Sequence, residues 1–516
     1  MDDEREQFAT GSIYLSLDSV ANAFLGGIFW IVIAKLAVPE VVGQATFVVA
    51  LTTILITFAG LGFHLAASKY ISEHNSRGEF SNSRHVYSKT IQVTIASSVV
   101  IAAMLAVFSS SLASHNPQLV LLILIGAFSI PFQALVRSLN GVYQGSNRMA
   151  FTLFGDLTFL VLRLAIAVIL VLLGYEALGI VLGYAAGFAA SAMLGLAVLV
   201  PSALPSTAQK STSPALFRQM FRFSMPNYFA GLALTGATQA SIIILGLFKG
   251  DAPVAFYNIA LLTKMVVVSI ATSVGLALLP AVSASISRGR VEPVSDMYNL
   301  SLKTSILLSS VPAVILFLIP GRILTLVSPT YAQEASLGLQ LLMLSTVGSV
   351  VFAIVIPVLN GLNRPITALI STSASSLLAL AVGLVTIPLW GVEGAAFSNL
   401  VAGFSGAAIA AGMLAYRGPV ELQHGAILRP VVSLASALGV GELLISRGVH
   451  PYVSVAVSLL ILLLVSLMVR ALRISEIGYI VRLTMNKMRL GSLVGGASAE
   501  KDSEDLASRK SCGPDN

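Results

Sequence analysis

The stretch FQALVRSLNG, Phe132–Gly141, returns 220 positions later as FAIVIPVLNG, Phe352–Gly361. Each copy closes an apolar run, and the spacing of such runs decides the fold. Hydrophobic residues make up 56% of the 516, charged residues only 10%, and the mean hydropathy is +0.89. That is more apolar surface than a soluble core can hide, so the chain is expected to be a polytopic membrane protein. A bilayer core of about 30 Å takes about 20 residues of helix. Cutting at Pro, Gly and charge clusters gives fourteen such segments, near 11–35, 43–65, 90–112, 118–140, 151–173, 178–200, 224–248, 255–282, 301–320, 335–360, 366–389, 394–416, 427–446 and 451–472. The runs are continuous rather than alternating, which favours helices over barrel strands. The fold class expected is therefore all-α.

The two quoted runs are the fourth and the tenth, a shift of six spans. The same shift relates GYEALGIVLGYAAGF, Gly174–Phe188, to GVEGAAFSNLVAGF, Gly391–Phe404, before spans six and twelve. ATFVVALTT, Ala45–Thr53, echoes AFYNIALLT, Ala255–Thr263, in spans two and eight. Three matches in order point to a duplication. Because six is even, both copies enter the membrane from the same side and form a parallel repeat. The expected organisation is a first lobe over 1–200, a polar linker over 201–222, a second lobe over 223–416 and two extra helices over 417–472. A basic amphipathic helix over 473–490 is expected to lie on the inner leaflet, followed by a tail over 491–516 that reads as disordered. The start, MDDEREQF, is acidic where a cleavable signal would be basic, so the first span is expected to stay in the protein. The one cysteine, Cys512, sits in the tail, which leaves no disulfide within the chain and no cysteine-based metal site.

Charge sets the orientation. Only Lys35, Lys249, Arg322 and Arg447 fall on the loops that follow odd-numbered spans, while nearly all the rest of the 30 Lys and Arg lie on the other side. Both termini are therefore expected in the cytoplasm of a cell (plasma) membrane protein. Two basic residues remain inside spans, Arg163 and Lys264. A charge at mid-bilayer costs roughly 2.5–3.5 kcal/mol even on lenient scales, so both are candidate functional residues. Span five carries the stripe Thr152, Asp156, Arg163, and span one carries Tyr14, Asp18, Asn22, Gly26. Span seven offers Asn227, Gly231, Thr235 and Gln239, and span eight Tyr257, Lys264 and Thr272. Plainer readings stand beside these. Asp156 also suits a first-turn acid, Asp18 an ion-pair partner for Arg163 or Lys264, and Lys264 a side chain that snorkels to the surface.

AKLAVPEVVGQATFVVAL (Ala34–Leu51), LGFHLAASKYISE (Leu61–Glu73), LNGVYQGSNR (Leu139–Arg148), LRLAIAVILVLLGYEALG (Leu162–Gly179) and LPAVSASISRG (Leu279–Gly289) together resemble the polysaccharide-biosynthesis flippases of the multidrug/oligosaccharidyl-lipid/polysaccharide exporter superfamily. The resemblance runs over roughly residues 8–472. It implies two six-helix lobes around a cavity, with alternating access that carries a lipid-linked oligosaccharide to the outer leaflet. It also implies cationic cavity residues on the substrate's phosphate or pyrophosphate, and Arg163 stands in the Leu-Arg-Leu position. The expected binding set is Arg163, Lys264, Asp18, Asp156, Asn22, Asn227 and Gln239. No metal or cofactor and no nucleic-acid partner is expected; coupling to H+ or Na+ and contact with glycan-assembly enzymes fit the same reading. In GATQASIIILG, Gln239 stands where relatives often carry an acid, which leaves the coupling ion open. A multidrug or organic-cation antiporter is the alternative, and would favour buried acids over buried bases. A membrane glycosyltransferase or polymerase is disfavoured, because the outer loops are short and lack paired carboxylates and no Gly-rich phosphate loop is present. The chain is thus expected not to be an enzyme.

The charge split generates a direct test. Reporter fusions after Gly78 and Thr212 are expected to read cytoplasmic, and fusions after Asn116 and Thr330 external. An external signal at Thr212 would break the six-plus-six topology.

Overall fold

The computed structural model describes residues 2–113, 116–204, 214–288, 292–417 and 423–471. Much of the expected linker, the amphipathic segment 473–490 and the tail with Cys512 lie outside the described residues. The first half contains α1 (Asp2–Leu36), α2 (Pro39–Gly60), α3 (Phe63–Ser76), α4 (Phe80–Leu112), α5 (Pro117–Gly145), α6 (Met149–Leu172) and α7 (Glu176–Leu194). A π-helical turn over Gly195–Leu199 leads from α7 into the short α8 (Val200–Ala203). The second half contains α9 (Pro214–Lys249), α10 (Asp251–Ser287), α11 (Glu292–Leu318), α12 (Pro320–Leu324), α13 (Pro329–Glu334), α14 (Ser336–Gly361), α15 (Pro365–Trp390) and α16 (Val392–Arg417). The last two helices are α17 (His424–Ser446) and α18 (Pro451–Met468).

Proline marks many starts, since its missing N–H costs nothing in a first turn; α2, α5, α15 and α18 all begin this way. Asn116 adds a side-chain cap, accepting from the backbone N–H groups of Gln118 and Leu119. Among the described residues, 13 helices are long and apolar enough to cross a membrane, against the fourteen expected. The difference falls on the seventh segment, 224–248. It is helical, inside α9, but several of its side chains, up to that of Ala237, lie outside the described residues, so its described apolar stretch is the shorter Thr238–Lys249.

The packing repeats as the sequence does. In the first half α1 packs on α6, α2 on α5, α4 on α5, α5 on α7 and α6 on α7; in the second half α9 packs on α15, α10 on α14, α11 on α14, α14 on α16 and α15 on α16. Each pair is its counterpart moved by six spans. Turn geometry repeats as well. Asn147 and Asn363 both take left-handed backbone, at φ 55° and 58°, a conformation that asparagine tolerates better than most residues. The arginine after each, Arg148 and Arg364, then starts a helix at φ −113°, ψ 53° and φ −117°, ψ 52°.

This accounts for the twice-spelled ending. Gly141 presses α5 onto the start of α3 so closely that a Cβ there would lie 2.2 Å from the His64 carbonyl oxygen. Gly361 does the same for α14 on α10, where a Cβ would meet Val282 at 2.8 Å. In both lobes the fourth helix needs a bare backbone at that point.

The lobes meet where α2 packs against α9 and α10. At the end of the bundle holding the α1–α2 turn, Gln44 donates to the Asp251 carboxylate at 2.9 Å and Asn258 donates to the Thr46 hydroxyl at 3.5 Å. A Cβ on Gly43 would lie 1.8 Å from the Asp251 carbonyl oxygen. Backbone cannot yield as a side chain does, so Gly43→Val is expected to cost the upper part of the roughly 1–3 kcal/mol typical of overpacking. A clear fall in the melting midpoint of the purified protein is expected, with little change for Gly439→Ala, whose site has nothing within 4 Å. Equal midpoints for the two variants would show that the lobes do not seal there.

Candidate functional site

Three helices converge on a pair of acids. Asp18 and Asn22 are four residues apart on α1 and so share a face. The Asn22 amide donates to the Asp18 carbonyl and carboxylate oxygens, both at 3.1 Å, and to Asp156 Oδ2 on α6 at 3.3 Å. Asn140, from the quoted motif on α5, donates to the other Asp156 oxygen at 3.1 Å. The Asp18 and Asp156 carboxyls face each other closely enough to hydrogen-bond. Two such carboxyls in a low-dielectric bundle repel when both are charged, so the cluster is suited to taking up one small cation between them. Among the described residues no ion pair joins Asp18 or Asp156 to Arg163 or Lys264. Asp18 is therefore not the ion-pair partner of Arg163 or Lys264, and it finds amides and a second acid instead.

Arg163 lies two turns further along α6, and only 4% of it is exposed. Its guanidinium carbon sits 4.2 Å from the ring centre of Phe29 on α1, 4.7 Å from that of Tyr184 on α7 and 4.8 Å from that of Phe159 on α6. Nη1 donates to the Tyr184 hydroxyl at 3.0 Å. Nε and Nη2 have no acceptor. Three ring faces stabilise a desolvated cation by about 2 kcal/mol or more, but a planar fork with idle donors remains free to take a bidentate anion.

The sequence folds this way because α7 carries Gly179, Gly183 and Gly187 on one face. A Cβ at Gly179 would meet Leu170, at Gly183 the Arg163 carbonyl oxygen, and at Gly187 the Phe159 carbonyl oxygen, each within 3 Å. Small residues at every fourth position allow α6 and α7 to touch along their length. That contact brings Tyr184 onto Arg163.

Lys264 is the buried cation of the second lobe, on α10. It is 6% exposed, and its Nζ donates to Asn399 Oδ1 on α16. It does not snorkel, because it is enclosed in the second lobe. Near it, Ser241 of α9 and Ser398 of α16 approach to 3.4 Å. Tyr257 is fully buried while Thr272 is exposed, so the expected polar side of span eight is not a single face. Gln239 is half-buried on α9, and the side chain of Asn227 lies outside the described residues. The structure thus brings Asp18, Asn22 and Asp156 together and places Arg163 and Lys264 in separate lobes, each bonded to the sixth helix of its own lobe.

Sequence reading missed Asn140, Tyr184, Phe29, Phe159 and Asn399. Asn140 and Tyr184 stand inside the repeated motifs, where their polarity against apolar neighbours was the available signal. Nothing in sequence marked the two phenylalanines as a cage rather than as ordinary core.

The fold is that of a two-lobed polytopic membrane transporter. The polysaccharide biosynthesis protein family matches residues 8–286, over half of the chain, and the MatE family matches residues 226–385. The chain belongs to the polysaccharide biosynthesis protein family, within the multidrug/oligosaccharidyl-lipid/polysaccharide exporter superfamily. It is 22% identical over 393 residues to the lipid II flippase MurJ of Bacillus subtilis (strain 168), covering 66% of this chain and 70% of that one. Among solved structures, a lipid II flippase MurJ in an inward closed conformation superposes with a TM-score of 0.69 at 14% identity, covering 89% of this chain and 98% of that one. An inward-facing multidrug resistance MATE family transporter superposes with a TM-score of 0.66 at 14% identity, covering 78% and 96%.

Proposed function

We propose that this protein is a flippase that carries a lipid-linked oligosaccharide, on polyprenyl phosphate or pyrophosphate, from the cytoplasmic to the outer leaflet by alternating access. The observation that carries the reading is Arg163, a buried guanidinium with two idle nitrogens, Nε and Nη2, and no carboxylate against it. An anion must complete such a site, and a lipid phosphate is the anion a membrane supplies. Lys264 gives the second lobe its own buried cation. The relatives' descriptions, a lipid II flippase and a multidrug resistance transporter, are of transport rather than catalysis.

In the described conformation Arg163 is covered, and α1 is the cover. Phe29 lies on the guanidinium, while Asp18 and Asn22 of the same helix are tied to Asp156. Towards its start α1 presents Leu17, Val20 and Phe24 outward, while Phe29, Trp30, Ile33 and Ala34 bury its other end in the core, so that buried end can serve as the hinge. Swinging α1 away from α6 uncovers the cation and opens the acid pair in one motion. The proposed cycle follows from that geometry. H+ or Na+ binding at Asp18 and Asp156 steadies the covered state, its release frees α1, and the substrate phosphate then engages Arg163. Differential binding of the two ligands to the two positions of α1 is what drives the change. The acid pair also gives the antiporter reading its support, since a cation carrier uses buried acids. The test must therefore tell the two readings apart.

Arg163→Met is expected to fold and melt within a few degrees of the parent, because an apolar chain of similar length replaces a desolvated charge. It is expected to abolish surface glycan in a complemented deletion strain. Arg163→Lys should keep part of it, since the charge survives and the bidentate fork does not. Lys264→Glu should impair export far more than Lys264→Gln. Intact glycan with altered resistance to cationic dyes would favour the antiporter.

A further inference from the structure

A second charged site lies outside this machinery, at the end of the bundle that holds the α2–α3 turn. A pocket of about 480 Å³ opens there between α11, the start of α17 and the residues after α18. Asp296, Asn299, Leu300 and Lys303 line it from one face of α11, Arg429 from the second turn of α17, and Arg470 from beyond α18. Three cations, from α11, from α17 and from the turn after α18, line it with one acid. The pocket is built rather than incidental. Asn299, only 6% exposed, accepts the backbone N–H of Gln423 at 3.0 Å and so docks the start of α17 onto α11. Arg470 takes left-handed backbone, φ 54°, as the chain leaves α18 beside the pocket.

The depth of the pocket identifies its ligand. The three membrane-crossing segments end here, at Pro293, His424 and Met468, which is the level of lipid headgroups. Exposed apolar side chains flank the cations, with Leu300 38%, Leu428 62% and Met468 85% exposed. A free anion would satisfy the charges but leave this apolar skirt unused. A molecule with a phosphate head and acyl chains uses both. We propose that the pocket holds the phosphate headgroup of an anionic phospholipid, with Arg429 and Arg470 as its principal ligands and its chains against Leu428 and Met468. Such a lipid would pin α17 and α18 to α11, a site independent of the transported substrate.

Native mass spectrometry of the full-length protein, released from nanodiscs of mixed phosphatidylglycerol and phosphatidylcholine, tests this. The parent should retain phosphatidylglycerol in preference. Arg429→Gln with Arg470→Gln should lower that preference about thirtyfold, and Arg470→Gln alone about fivefold, from the loss of about one basic contact each. Both side chains are exposed, so melting in pure phosphatidylcholine should not change. Added inorganic phosphate should not displace the lipid. Unchanged preference in the double variant would overturn the assignment, and displacement by inorganic phosphate would assign the pocket to a soluble anion. Either failure leaves the flippase reading standing.

Discussion

A guanidinium inside a membrane-spanning bundle needs something in place of water, and the arrangement around Arg163 follows from that need. The carboxylates on neighbouring helices lie elsewhere, so the replacement is three ring faces and one hydroxyl, drawn from α1, α6 and α7. Rings stabilise the charge without using up its donors. The site is thus stable when empty and still able to bind an anion, a combination that an ion pair would forfeit.

That solution places demands on the rest of the first lobe. α7 has to lie flat on α6 for Tyr184 to reach, which explains Gly179, Gly183 and Gly187. α1 has to lie over α6 for Phe29 to cover the cation, and it is held there by Asn22 between two acids. Asn140 then joins α5 to the same cluster. A single helix, α1, therefore carries both the lid of the cation and half of the acid pair. Coupling between the two sites needs no long pathway, since one rigid element belongs to both.

Much of this was legible in the sequence. The all-α polytopic fold, the parallel repeat and the candidacy of Arg163 and Lys264 all follow from hydropathy, spacing and the cost of a buried charge. The LNG repeat even located the tight contacts of α5 and α14, although only the packing reveals that a carbonyl oxygen occupies the space beside Gly141. The cage was not legible, because Phe29, Phe159 and Tyr184 come from distant segments and look like core. The proposed pairing of Asp18 with a buried base failed for a related reason: opposite charges in a sequence do not imply proximity, and here amides satisfied the acids. The repeat itself misleads at one point, since Asn140 holds Asp156 while its counterpart Asn360 is exposed.

The central claim is that α1 leaves α6 when substrate binds. The direct measurement is the α1–α6 distance by electron spin resonance, with spin labels at Phe24→Cys and Leu172→Cys in a Cys512→Ser background, both positions facing outward. The account predicts a single short distance in the empty protein and a second, longer population once a lipid-linked oligosaccharide is added. An unchanged single distance in protein that still transports would contradict it.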